Sequence, residues 1–219
     1  FSSNDARENG NCPNSYKITR TWRATDECGN ASTCNQVITV RDITPPSITC
    51  PINATINCHD SQSTSALGSA TATDNCSATA NIIIGSSDAK VNGNCANTYT
   101  INRIWKATDE CGNSNACVQV ITVRDITAPS ITCPANRTIN CNDLSTVAAL
   151  GSPTATDNCS TTANISFSSS DSRANGNCPN AYTLTRTWRA VDECGNASTC
   201  NQVITVRDVT PPSIVCPIN

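Results

Sequence analysis

Cysteine is the residue type whose spacing first suggests chemistry in this chain. Sixteen cysteines lie in 219 residues. They recur in register: Cys50, Cys58, Cys76, Cys95, Cys111 and Cys117 return 83 positions on as Cys133, Cys141, Cys159, Cys178, Cys194 and Cys200. Thiols in such number can bind zinc or close disulfides. Structural zinc sites present close-spaced ligand pairs, but here no Cys-x-x-Cys occurs and His59 is the only histidine. The set is therefore read as disulfides of an oxidising compartment. Six cysteines per copy allow three bridges and fifteen connectivities.

Carboxylates recur in the same register. Asp42 and Asp125 each end an alternating run just before a proline-rich segment, and Asp74–Asn75 and Asp109–Glu110 return as Asp157–Asn158 and Asp192–Glu193. Such residues are good turn formers; gathered in space, they are also the oxygen ligands a hard cation such as Ca²⁺ requires. Both readings are open at this level. Arg20, Arg103 and Arg186 share one register position. Strand alternation places Arg103 on the same face as Ile101 and Trp105, where a buried guanidinium needs a partner. Asp88 and Asp171 are the acids that recur to pair with Arg103 and Arg186; the alternative is an edge position with the head group in solvent. Trp22, Trp105 and Trp188 fall mid-strand, as core residues do, rather than at loop tips. Catalysis has little to stand on. His59–Asp60 is replaced by Asn142–Asp143 in the next copy, and bridged cysteines offer no thiolate. The expectation is that the chain is not an enzyme.

The elements that must position these residues follow from the repeat itself. TWRATDECGN at Thr21 returns at Ile104 and Thr187 with a constant offset and no insertion, and self-similarity at a fixed period signals a repeat architecture. The divisions expected are 1–45 (the C-terminal part of a repeat), 46–128 and 129–211 (complete repeats) and 212–219 (the start of another). Period-2 alternation dominates. Strands are expected at Cys117–Val123, Tyr99–Asp109 and Ala80–Ser87, with a broken first strand at Pro129–Cys141 and a second at Ala149–Asp157. Asn92–Gly93, Gly112–Asn113 and Asp74–Asn75 separate them as turns. No helical period of useful length is present. Short strands with regular turn signals imply an all-β sandwich. Aromatic residues are only 4%, so each repeat buries a modest core and leans on its bridges, each contributing about 2–4 kcal/mol. A net charge of −3 presents no basic face for nucleic acid or anionic membrane, and no apolar run approaches membrane-spanning length.

The combination of a Pro-Pro linker, Cys-Pro, Thr-Asp-Asn and Ala-Thr-Asp-x-x-Gly-Asn-x-x-x-Cys before alternating valines resembles the hyaline repeat (HYR) family and its bacterial relatives. The dense-cysteine version resembles repetitive surface proteins of Bacteroidota-type bacteria. The resemblance implies tandem immunoglobulin-like β-sandwich repeats of 83 residues, disulfide-rich and set end to end as a rod. Its topology implies Cys50–Cys117, Cys58–Cys95 and Cys76–Cys111, matched by Cys133–Cys200, Cys141–Cys178 and Cys159–Cys194. It also gathers carboxylates at each short linker. Asp42, Asp74, Asp109 and Asn113 are the expected ligands of one Ca²⁺, and Asp125, Asp157, Asp192 and Asn196 those of a second.

The functional expectation is a structural segment of a long extracellular stalk or fibre at a cell surface, stiffened by disulfides and by Ca²⁺ at the joints. The alternative is an adhesin whose repeats bind glycan or protein. Expected partners are neighbouring repeats of the same or identical chains, with glycans in the adhesin reading. Asn30, Asn53, Asn75, Asn136, Asn158, Asn164 and Asn196 each open an Asn-x-Ser/Thr sequon and are candidate glycan acceptors.

Overall fold

The structure, a computed structural model, describes residues 1–143 and 147–216; residues 217–219 of the expected 212–219 segment lie outside that range. Among the described residues, fifteen strands make up most of the regular structure, with four single helical turns between them. The first three, β1 (Ser2–Asn9), β2 (Tyr16–Thr25) and β3 (Ala31–Val40), form an antiparallel sheet. Then follow β4 (Ser47–Thr49), β5 (Ala54–Asn57), β6 (Thr71–Thr73), β7 (Ile83–Asn92), β8 (Tyr99–Thr108) and β9 (Ser114–Arg124). The same series returns as β10 (Ser130–Thr132), β11 (Arg137–Asn140), β12 (Thr154–Thr156), β13 (Ser166–Asn175), β14 (Tyr182–Val191) and β15 (Ala197–Arg207). Each series builds one two-stranded and one four-stranded sheet, in the orders β4-β6 with β5-β9-β8-β7 and β10-β12 with β11-β15-β14-β13.

The first strand of each series changes sheet half-way. β10 runs antiparallel to β12, whereas β11 runs parallel to β15. Cys133–Asn136 carries the crossover, where proline removes a ladder donor. Its backbone is held by side chains instead. Gln202 Nε2 donates to the Ala135 and Leu150 carbonyls at 2.9 Å each, and Asn136 Oδ1 accepts from Val203 N at 2.7 Å. Gln119 and Asn53 do the same in the earlier series. Two single-turn helices, α1 (Thr64–Leu67) and α2 (Val147–Leu150), follow the crossovers. The expected strand over Ala149–Asp157 contracts to β12 for this reason: Ala149 and Leu150 close the helical turn. Gly151, at φ +92°, then reverses the chain in a region that disfavours a side chain.

The sandwich core is thin. Ala72, Ile82 and Ala107 pack with Ile48 and Ile84, and their counterparts Ala155, Ile165 and Ala190 pack with Ile131. A second cluster joins Leu150, Ile204 and Val206 to Ile139, Tyr182 and Leu184. On β8, Ile101, Arg103, Trp105 and Ala107 are buried, the alternate face the sequence pattern selects. Trp105 and Trp188 are 4% exposed, while Trp22, on the lone three-stranded sheet, is 39% exposed.

The chain divides into two compact units. One comprises Phe1–Ile56, Ser61–Val91 and Thr100–Thr122, the other Asn57–Asp60, Asn92–Tyr99 and Val123–Asn219. Each unit therefore contains the whole of one Pro-rich connection, Asp42–Pro46 in the first and Asp125–Pro129 in the second.

Candidate functional site

The disulfides around these connections form the most specific arrangement in the molecule. Cys50–Cys117 and Cys133–Cys200 each span 67 residues and fasten the crossover segment to the last strand of its own repeat. The other three join residues 99 or 101 positions apart: Cys12–Cys111, Cys95–Cys194 and Cys58–Cys159. Those separations exceed the 83-residue period, so each of the three ties one copy of the repeat to the next. Their Cα–Cα distances of 5.1, 5.2 and 5.9 Å lie in the ordinary range for a disulfide.

This corrects four expected pairings: Cys58–Cys95, Cys76–Cys111, Cys141–Cys178 and Cys159–Cys194. The resemblance closes each end of a repeat on itself; the structure joins Cys58, Cys95, Cys111, Cys159 and Cys194 to cysteines of a neighbouring copy and leaves Cys76, Cys141 and Cys178 unpaired. The cause is local. Cys58 follows β5 directly, and its amide donates to the Arg124 carbonyl at the end of β9. Asn57 Nδ2 donates to Thr127 Oγ1 at 3.0 Å, inside the connection. These bonds hold Cys58 beside the entry to the next copy, where Cys159 waits on an Asx turn formed by Asp157. In the first unit Asn14 Nδ2 likewise reaches the Cys76 carbonyl at 2.9 Å.

The carboxylates meet at the same places. Asp42, only 7% exposed, turns its Oδ1 to Thr44 N at 3.2 Å. Asp74 Oδ1 accepts from Cys76 N and Ser77 N, both at 2.8 Å. The second oxygen of each, Oδ2, is buried and has no hydrogen-bond partner among the described residues. A ligand atom from each of Asp42, Asp74 and Cys76 lies within 4.8 Å of the others, as do atoms from Asp125, Asp157 and Cys159. Asp125 and Asp157 repeat the two buried, unpartnered Oδ2 atoms. A buried carboxylate oxygen without a partner is costly, and a cation shared by each pair would give both Oδ2 atoms one. Because Cys159 is bridged, the donors left at that site are oxygens, which suits a hard cation better than zinc.

The remaining expected ligands stand beside these pairs, with the Asp109 and Asp192 carboxylates and the Asn113 and Asn196 amide nitrogens engaged in hydrogen bonds. Asp109 Oδ1 accepts from Cys111 N and Asn113 N, and its Oδ2 from Asn113 Nδ2, all at 2.9 Å. Asn113 Nδ2 also donates to the Asp42 carbonyl at 3.2 Å. Asp192 and Asn196 repeat this around the Asp125 carbonyl. These four residues clamp the connection; the buried carboxylate oxygens without a partner belong to the other four. Burial, first of all, pushes the Asp125 carboxyl up, and the charges of Asp157, Asp192 and Glu193 add to it against the opposing Thr127 N–H. Backbone N–H groups of Ser77 and Cys76 hold Asp74 below its ordinary value.

The arginine pairs stand as expected. Arg103 Nε and Nη2 donate to the two Asp88 oxygens at 2.7 and 2.8 Å, and Nη2 also reaches the Gln62 carbonyl at 2.8 Å. Arg186 holds Asp171 the same way, directly across the β13–β14 ladder. Of the sequons, the amide nitrogens of Asn30, Asn75, Asn158, Asn164 and Asn196 are engaged with Asp26, Cys76, His59, Glu193 and Asp192. Asn53 and Asn136 commit only their oxygens, to Val120 and Val203. Gln119 and Gln202, fully buried, are absent from the residues the sequence singles out. Their only signal is a polar residue at a recurring inward position of an alternating strand.

No protein family and no curated protein matches the chain. Among solved structures, Drosophila N-cadherin EC1-4 is 14% identical, with a TM-score of 0.34 over 89% of this chain and 58% of that one. Mouse clustered PcdhgC3 EC1-3 is 14% identical, with a TM-score of 0.36 over 92% of this chain and 79% of that one. The human Desmocollin-1 ectodomain is 11% identical, with a TM-score of 0.31 over 91% of this chain and 48% of that one. The chain thus spans little more than half of the N-cadherin fragment and less than half of the desmocollin ectodomain. Similarity this low bears on no question of function. No helix among the described residues is long and apolar enough to cross a membrane.

Proposed function

We propose that this chain is a structural segment of an extracellular stalk or fibre, built from hyaline-repeat-like sandwiches that are covalently stapled to one another. The observation that carries the reading is the set of bridges spanning 99 and 101 residues, each longer than one repeat. Disulfides within a repeat protect its fold; disulfides between repeats carry force through the connection. Such bridges persist in an oxidising extracellular setting. The natural partners are neighbouring repeats of the same or identical chains. In this reading Asp42 with Asp74, and Asp125 with Asp157, hold Ca²⁺ at the connections, and the ion neutralises oxygens that otherwise face each other unpaired.

Pulling the chain by its ends tests the load-carrying role. The shortest covalent path runs from Phe1 to Cys12, across to Cys111, back to Cys95, across to Cys194 and on to Asn219. It contains about 50 backbone residues, which extend to about 180 Å. Pairing within repeats alone leaves about 85 residues and about 290 Å, and the reduced chain about 750 Å. Extension of the oxidised chain well past 180 Å contradicts the reading.

A further inference from the structure

Every bridged cysteine has a fixed role in the repeat register. The position of Cys50 and Cys133 bonds 67 residues ahead; that of Cys12 and Cys95 bonds 99 ahead; that of Cys58 bonds 101 ahead. Cys28, Cys34, Cys76, Cys141, Cys178 and Cys216 are unpaired, and they sort without exception. Cys28, Cys34 and Cys76 stand at positions that accept a bridge from behind, as Cys111, Cys117 and Cys159 do. Cys141, Cys178 and Cys216 stand at positions that bond ahead, as Cys58, Cys95 and Cys50 do.

Four of the unpaired thiols also keep the backbone of their paired counterparts. Cys28 N donates to Asp26 Oδ1 at 2.9 Å, as Cys111 N and Cys194 N donate to Asp109 and Asp192. Cys76 sits on the Asp74 turn as bridged Cys159 sits on the Asp157 turn. Cys141 N donates to the Arg207 carbonyl at 2.9 Å, matching Cys58 N on Arg124 at 3.0 Å. The Cys178 carbonyl accepts from Ala181 N at 3.0 Å, and that of Cys95 from Thr98 N at 3.1 Å. Five of the six are exposed and Cys141 is half-buried.

We infer that these six thiols are half-sites of the same three bridges, and that the partner each takes is the matching cysteine on further chain of this 83-residue kind. Cys28 and Cys76 accept from a preceding repeat, Cys141 and Cys178 reach to a following one, and Cys34 and Cys216 are the two halves of the bridge that closes within one repeat. Each bridge forms from two thiols, which lose two protons and two electrons. A small-molecule disulfide takes up both and leaves as two thiols, so the exchange balances. The loops are already shaped, so association orders few new residues. The inference rests on the stapled-array reading, but its failure is separable. The extension limit above depends only on bridges inside one chain.

The test uses the chain itself as the partner. Concentrated protein is oxidised with glutathione disulfide, and the bridges are mapped by non-reducing proteolysis and mass spectrometry. One placement of a second copy, three periods further along, satisfies two bridges at once. The expected map therefore shows Cys178–Cys28 and Cys216–Cys34 between copies. Cys76 and Cys141, whose matched positions lie on neither copy in that placement, remain alkylatable. Cys28→Ser should remove the bridge to Cys178 and leave Cys216–Cys34, with circular dichroism unchanged. Bridges between Cys28 and Cys34 of one chain, or between two forward-bonding cysteines, overturn the inference. So does a full set of thiols left free under excess oxidant.

Discussion

The buried arginine supplies the sharpest energetic test, because the chain carries the same pair in two environments. Arg103 and Arg20 both grip an aspartate through Nε and Nη2 at 2.7–2.8 Å. The Arg103 side chain is 6% exposed and that of Arg20 is 34% exposed. Asp88→Ala removes both charge-assisted bonds and leaves Arg103 with the Gln62 carbonyl alone. Breaking one side of a buried pair costs about 3–5 kcal/mol. Asp88 is itself 43% exposed, so water can reach the vacated side, and the expected loss is at the low end, about 3 kcal/mol. The matching Asp5→Ala should change little, as exposed pairs do. Chemical denaturation with disulfides intact, followed by tryptophan fluorescence, measures both. The difference should also depend on pH. Hydrogen bonds from Arg103 hold the Asp88 carboxyl below its ordinary value, so its stabilising effect is complete above about pH 4 and fades as pH falls through the folded value. Wild type and Asp88→Ala should therefore converge in acid. Equal losses for Asp88→Ala and Asp5→Ala would refute the argument from burial.

Calorimetric titration with Ca²⁺ should give two sites on the wild-type chain. Asp42→Asn and Asp125→Asn should each remove one, whereas no binding in either form assigns these acids to turn chemistry alone. In the absence of a divalent cation, the raised Asp125 carboxyl makes stability fall as pH climbs from about 4 through the folded value. Asp125→Asn should flatten that slope in pH-dependent melting. Gln119→Ala orphans the Ile52 and Leu67 carbonyls and the Trp105 indole N–H. At about 1–3 kcal/mol for each buried orphan, a loss of about 3–5 kcal/mol is expected in denaturant unfolding, and a loss below about 1 kcal/mol would mean the crossover is held by its disulfide alone.

What the sequence made legible is what local periodicity controls. Alternation placed Ile101, Arg103, Trp105 and Ala107 on the inner face of β8, and the recurrence of Asp88 with Arg103 anticipated their pairing. The bridges of Cys50 and Cys133 followed from the resemblance to the hyaline repeat rather than from spacing, which leaves fifteen connectivities open. The bridges of Cys58, Cys95 and Cys12 followed from neither. A cysteine's place within the repeat says which end of the sandwich it occupies, but not that this end lies against the next copy. That depends on Asn57 reaching Thr127 and Asn14 reaching Cys76, contacts between residues about 62–70 positions apart. The carboxylates divide the same way. The sequence gathered eight candidates, but only their hydrogen bonds separate Asp42, Asp74, Asp125 and Asp157, with buried unpartnered oxygens, from Asp109, Asn113, Asp192 and Asn196, which clamp the chain.

The central claim is that covalent bonds pass from repeat to repeat. Non-reducing peptide mapping of the alkylated chain at low concentration, with a digest that separates Cys50, Cys58 and Cys76 and also Cys111 from Cys117, tests it most directly. Linked peptides containing Cys12 with Cys111, Cys58 with Cys159 and Cys95 with Cys194 are the expected result. Peptides joining Cys58 to Cys95 and Cys76 to Cys111 would contradict it, and would return each repeat to an independently closed domain.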